Sequence, residues 1–172
     1  MNRNRFVIWE IVLPLVVACF LYLLFRPVDT VVFKIASFFR IGEIFESMRL
    51  LINHSFIPSW VIYSLPGGLW LLAFQNTIAL LKQFSIKHLL IPVLFAYGIG
   101  VGLEFLQYIH VTDGRFDWLD VLFYTIATIT SLSTIFLINN KWEFYAEEKT
   151  SMKLSGFFYL FFVVIIYLAD IV

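Results

Sequence analysis

Glu104 and Gln107 stand three residues apart at the end of an apolar run, so they share one helix face with Gly100 and Tyr97. A short segment, Ile109 to Phe116, follows with His110, Asp113 and Arg115, and Asp117 and Asp120 then open the next apolar run. Asp117, Asp120, Tyr124 and Thr128 again fall on one face at helical spacing. An ionised carboxylate among apolar groups needs a partner, and Arg115 is the cation this hairpin supplies. The spacing therefore predicts that Glu104, Gln107, Arg115, Asp117 and Asp120 converge where two helices end.

Such a cluster has two plausible roles. As a clasp, it holds the hairpin together. As a binding site, Arg115 pairs with a phosphate or carboxylate, while Glu104 and Asp120 orient the guanidinium and accept hydrogen bonds. A third use, Glu104 or Asp120 as a general base with a pKa raised by burial, finds no nucleophile elbow, HExxH or phosphate loop to complete it. For Asp117 a simpler role also exists, because acidic residues in a first turn are favoured by the helix dipole. His54, His88 and His110 lack a metal-ligand spacing, and Cys19 is the one cysteine. His110 with Glu104, Asp113 and Asp117 is the one grouping of metal-ligand types, and the expectation is no metal and no cofactor.

The elements that position these residues follow from composition. Of 172 residues, 61% are hydrophobic and 14% charged, with a mean hydropathy of +0.89. A soluble domain carries about a quarter charged residues; here there is too little polar surface to coat a water-facing globule. Net charge is zero, which gives no reason to expect nucleic acid as a partner. A hydrocarbon core ~30 Å thick needs about 20 apolar residues in a helix. Five runs meet that need: about Phe6 to Phe25, Trp60 to Leu81, His88 to Tyr108, Trp118 to Ile138, and Leu154 to Val172. The expected fold is all-α, a polytopic transmembrane helical bundle of about five spans in one domain, residues 1–172. The first run resembles a secretory signal, and Val16 to Cys19 resembles a lipoprotein cleavage site. Glu10 interrupts that signal core and Phe20 to Phe25 stay apolar, so the run is read as a span that is kept.

Between the first two spans, Val31, Ile35, Phe38, Phe45, Met48 and Ile52 recur at helical spacing with Lys34, Arg40, Glu43 and Arg49 between them. This predicts one amphipathic helix lying in the membrane interface, capped by Asp29 or Thr30. The bias of Lys and Arg toward one side predicts a cytoplasmic N-terminus, with Arg3, Arg5, Lys82, Lys87, Lys141, Lys149 and Lys153 inside and the C-terminus outside. Gly98, Gly100 and Gly102 are expected to let a neighbouring helix approach closely. Tyr63 to Gly68, with Pro66, is expected to open or kink the second span, and Gln75 and Asn76 to hydrogen-bond between helices.

Glu104-xx-Gln107, then Arg115, then Asp117-xx-Asp120 opening an apolar span resembles the VanZ-like membrane proteins. The resemblance covers about residues 98–127. Tyr124 and Ala127 stand where that family commonly has Asn and then Gly. The family is named from a member linked to glycopeptide resistance. What the resemblance implies is a multi-pass protein of the bacterial cell envelope, placed in the inner (cytoplasmic) membrane. The expected function is binding of a lipid headgroup or lipid-linked cell-wall intermediate at the outer leaflet, with membrane lipid as partner. The alternatives are a structural subunit that joins other membrane proteins, and an enzyme using a carboxylate base.

Overall fold

Where lipid replaces water, a chain must satisfy its backbone within each crossing segment, and a helix does so. The structure, a computed structural model, describes residues 3–52, 57–82, 86–112 and 114–139, without the side chains of 3, 4, 31, 86, 87 and 139. Every described element is helical, and four helices are long and apolar enough to cross a membrane: Val7–Phe25, Ser59–Leu81, His88–Tyr108 and Trp118–Ile138. These agree with the first four expected spans. The fifth, 154–172, lies outside the described residues, as do Asp113, His54 and the lysines at 141, 149 and 153.

The first span begins as α1 (Arg3–Phe6), widens into a π-helical stretch (Val7–Val12) and continues as α2 (Leu13–Phe25). Pro14 sits in the first turn of α2. It has no N–H to give to the Glu10 carbonyl four residues earlier. Asn76 Nδ2 donates to that carbonyl instead, at 3.2 Å, and to Glu10 Oε2 at 3.4 Å.

The connection expected as one amphipathic helix is two, α3 (Val31–Phe38) and α4 (Gly42–Leu51). Arg40 takes a left-handed conformation between them (φ +60°). There the Ile41 N–H reaches the Ala36 carbonyl and the Arg40 N–H the Ser37 carbonyl, both at 2.9 Å. That pair of bonds closes a helix C-terminus in the Schellman manner. Neither Asp29 nor Thr30 caps α3: its N-cap, Thr30, makes no side-chain capping bond and gives its hydroxyl to the Pro27 carbonyl at 3.1 Å.

The second span is α5 (Ser59–Tyr63) and α6 (Leu65–Leu81), interrupted at Ser64, with Pro66 in the first turn of α6. Then come α7 (Ile86–Tyr108), with Pro92 inside it, and α8 (Trp118–Asn139). The second span is central. It is 56% buried against 22–33% for the other three, and α6 packs on α8, α2 and α7.

The glycines that permit close packing differ in part from those expected. A Cβ on Gly68 would come 2.9 Å from Phe123 Cβ and 3.1 Å from its carbonyl oxygen, and one on Gly100 would come 3.3 Å from the Tyr124 ring. A Cβ on Gly98 or Gly102 would meet nothing within 4 Å. Tyr124 thus occupies the wedge between α6 and α7, and the Gly98/Gly102 spacing points away from it.

The bundle interior is partly polar. Gln75 Nε2 donates to Thr128 Oγ1 (2.9 Å) and to the Val93 carbonyl (3.2 Å), and Ser131 Oγ donates to Asn76 Oδ1 (2.8 Å). Gln75, Asn76 and Ser131 are each 0% exposed. The interhelical role expected for Gln75 and Asn76 is what they perform. Amide pairs of this kind bind helices where hydrophobic driving force is missing.

Candidate functional site

The end of α7 sets the site. His110 is left-handed (φ +58°), the Val111 N–H bonds the Leu106 carbonyl (2.9 Å) and the His110 N–H bonds the Gln107 carbonyl (3.0 Å). The second Schellman closure turns the chain back, so His110 serves as a helix terminator. Among the described residues no group of three His, Cys, Asp or Glu side chains could hold a metal ion.

Gly114 follows with φ +118°, a conformation that costs other residues strain. A Cβ there would come 2.7 Å from Gln107 Nε2, so glycine also leaves the space that the glutamine amide fills. Asp117 then caps α8: its Oδ1 accepts the Leu119 N–H at 2.9 Å. Its own N–H donates to Glu104 Oε2 at 3.3 Å. Glu104 is 3% exposed and Gln107 is buried, so the face predicted from their spacing does turn inward. The Glu104 carboxylate lies against the start of α8, where the helix dipole and unbonded N–H groups favour negative charge.

Glu104, Gln107, Arg115, Asp117 and Asp120 all line one pocket of about 550 Å³, together with Gly114, Phe116 and Trp118. The expected convergence is therefore present. Arg115 is exposed and borders the pocket.

Two further pocket residues come from distant parts of the chain, Arg26 and Tyr63. Arg26 ends α2, and its Nη2 donates to the Tyr63 carbonyl at 2.8 Å. Its guanidinium carbon lies 5.0 Å from the Tyr22 ring centre and 4.9 Å from that of Tyr63. These cation–π contacts fix it as one wall, and its buried Nε has no hydrogen-bond partner. The available signal was positional: Arg26 directly follows the first span, which runs parallel to α7 with one span between them, so both end at the same end of the bundle.

Arg49 braces this wall from outside. Its Nε donates to the Leu23 carbonyl (2.7 Å) and its Nη2 to that of Tyr22 (3.5 Å), closing the C-terminus of α2. Partial burial pulls the Arg49 guanidinium below its ordinary pKa, and Glu46 opposes that shift. An aromatic series leads from the pocket wall: Phe116 and Trp118 line it, and Tyr108 and Phe105 continue from them, with ring centres at 4.9–6.4 Å and Tyr108 and Trp118 exposed.

The arrangement offers a fixed guanidinium, an adaptable one, and carboxylates gathered at a helix start, all at one end of the bundle. Compared with models of protein families, with curated proteins and with solved structures, the chain matches none.

Proposed function

We propose that this protein binds the polar headgroup of a membrane amphiphile in the pocket between Arg26, Glu104, Arg115 and Asp120, at the outer leaflet of a bacterial inner membrane. The observation that carries the reading is the pocket itself: cationic and anionic side chains from two separate parts of the chain line about 550 Å³ at one end of four apolar helices. Exposed Trp118 on its wall and exposed Tyr108 against Phe116 beside it fit the belt that such residues form at headgroup depth. Arg115 closes on a phosphate or carboxylate, Arg26 backs it, and the carboxylates accept hydrogen bonds from the rest of the headgroup.

The same reading places the N-terminus in the cytoplasm, counts 154–172 as a fifth span, and puts the C-terminus outside. Helices α3 and α4 then lie in the interface. Phe38 at 82% exposure and Leu50 at 89% support this, since lipid is the solvent that suits such side chains. The VanZ-like pattern of Glu104, Gln107, Arg115, Asp117 and Asp120 supports assignment to the cell envelope.

Photocrosslinking tests the reading. A lipid carrying a photoreactive group near its phosphate is expected to label Phe116 and Trp118 in preference to Phe136. Labelling spread evenly along α8 would mean that no headgroup site exists.

A further inference from the structure

We infer that Arg49 is a positioning residue for the pocket: through the last turn of α2 it sets where the Arg26 guanidinium stands, and it thereby ties headgroup affinity to the surface helices α3 and α4. This rests on the headgroup reading above. The carbonyls that end a helix have no partners within it, and in α2 they are held from outside. The Tyr22 carbonyl accepts the Arg26 N–H at 3.2 Å and Arg49 Nη2 at 3.5 Å, and the Leu23 carbonyl accepts Arg49 Nε at 2.7 Å. Tyr22 also sets its ring 5.0 Å from the Arg26 guanidinium carbon. One residue therefore carries both the carbonyl that Arg49 holds and the ring on which the pocket's arginine rests. Within the Arg26 fork, Nη2 is taken by the Tyr63 carbonyl and Nε is buried without a hydrogen-bond partner. Nη1 is the nitrogen left to reach a ligand. Fraying of the last turn of α2 moves it.

Arg49 is in turn fixed by the surface helices. It lies on α4, and its guanidinium carbon is 4.7 Å from the ring centre of Phe33, a buried residue of α3. Phe45 of α4, also buried, meets Phe20 of α2 edge to face at 5.7 Å. A contiguous set of contacts thus runs from α3 and α4 to Arg26, while Arg49 itself does not line the pocket. Such a residue raises affinity by holding a binding group in place beforehand, which lowers the cost of ordering it when the ligand arrives.

The test is a double-mutant cycle on the full chain in detergent micelles, titrated with short-chain phosphatidylglycerol and followed by calorimetry. Arg26→Gln is expected to weaken binding about tenfold, the factor that one charge-assisted hydrogen bond supplies. Arg49→Ala is expected to weaken it at least about threefold. The double variant should bind within about twofold of Arg26→Gln alone, because Arg49 acts through Arg26 and the two losses do not add. Losses that multiply in the double variant, or an Arg49→Ala protein that binds as wild type does, overturn this inference and leave the headgroup reading standing. Binding unchanged in both Arg26→Gln and Arg115→Gln overturns the headgroup reading and this inference with it. Because Arg49→Ala also loosens the fold, wild-type protein supplies a second measurement by hydrogen exchange. Coupling is reciprocal, so the lipid is expected to slow exchange of the α4 amides although Arg49 does not line the pocket. Exchange in α4 that ignores the lipid overturns the inference.

Discussion

Glu104 shows how a helix start helps to keep a carboxylate inside an apolar bundle. It accepts the N–H of Asp117, the residue before α8, where the helix dipole favours negative charge. Arg115 is exposed, which sets what its loss should do. Arg115→Gln is expected to shift stability by under ~1 kcal/mol, as for an exposed charge, and to abolish headgroup binding; thermal unfolding in detergent beside a lipid-binding titration separates the two effects. Arg49 is the opposite case, since it closes the carbonyl end of α2. Arg49→Ala should lower stability by about 1.5–3 kcal/mol, the range for hydrogen bonds to a charged group, and Arg49→Lys, without the fork, should restore little. His110 occupies a left-handed conformation at modest cost. His110→Gly is expected to raise stability by about 0.5–1 kcal/mol, and a fall instead would mean that the imidazole makes an interaction of its own. The residue-level chemistry was legible where it was local. Glu104, Gln107, Asp117 and Asp120 fell on the predicted faces because helical spacing fixes them. Arg26, 78 residues before Glu104, was not legible as a site residue, because tertiary packing alone brings it there.

At the scale of elements, the spans were readable from length and apolarity, and the connection between the first two was not. Its apolar spacing runs on through Arg40, yet the chain adopts a left-handed turn there that periodicity does not register. Spin labels at Phe38 and Arg40 should report lipid and water respectively if α3 lies in the interface, and equal water exposure would remove it from the membrane. The helix contacts were also only partly legible. A GxxxG spacing invites packing at Gly98 and Gly102, but Gly67, Gly68 and Gly100 are the glycines pressed against α8. Gly68→Ala must push on Phe123 backbone, so a loss of about 1–3 kcal/mol is expected, whereas Gly98→Ala has open space and should be neutral. Equal effects of the two in a reversible unfolding assay would overturn this packing. Asn76 ties the first span to α8 through Glu10 and Ser131. Asn76→Leu should cost about 1 kcal/mol, since hydrogen bonds between membrane helices are worth roughly that or less.

For the whole molecule, composition alone indicated lipid as the solvent, and the four apolar helices agree with that. Their arrangement around α6 needed the structure, because each helix is apolar nearly all round and its sequence does not mark which face is inward. On the proposed topology, single cysteines at positions 112 and 145, placed in a Cys19→Ala background, should be labelled from opposite sides of the membrane. Labelling of both from one side would contradict five spans. The headgroup pocket itself is tested most directly by native mass spectrometry of the protein released from native-like membranes. Wild type and Lys34→Gln, whose lysine is exposed on α3, should each retain one phospholipid, and Arg115→Gln should lose most of it. Equal lipid occupancy in all three proteins would contradict the pocket as a headgroup site.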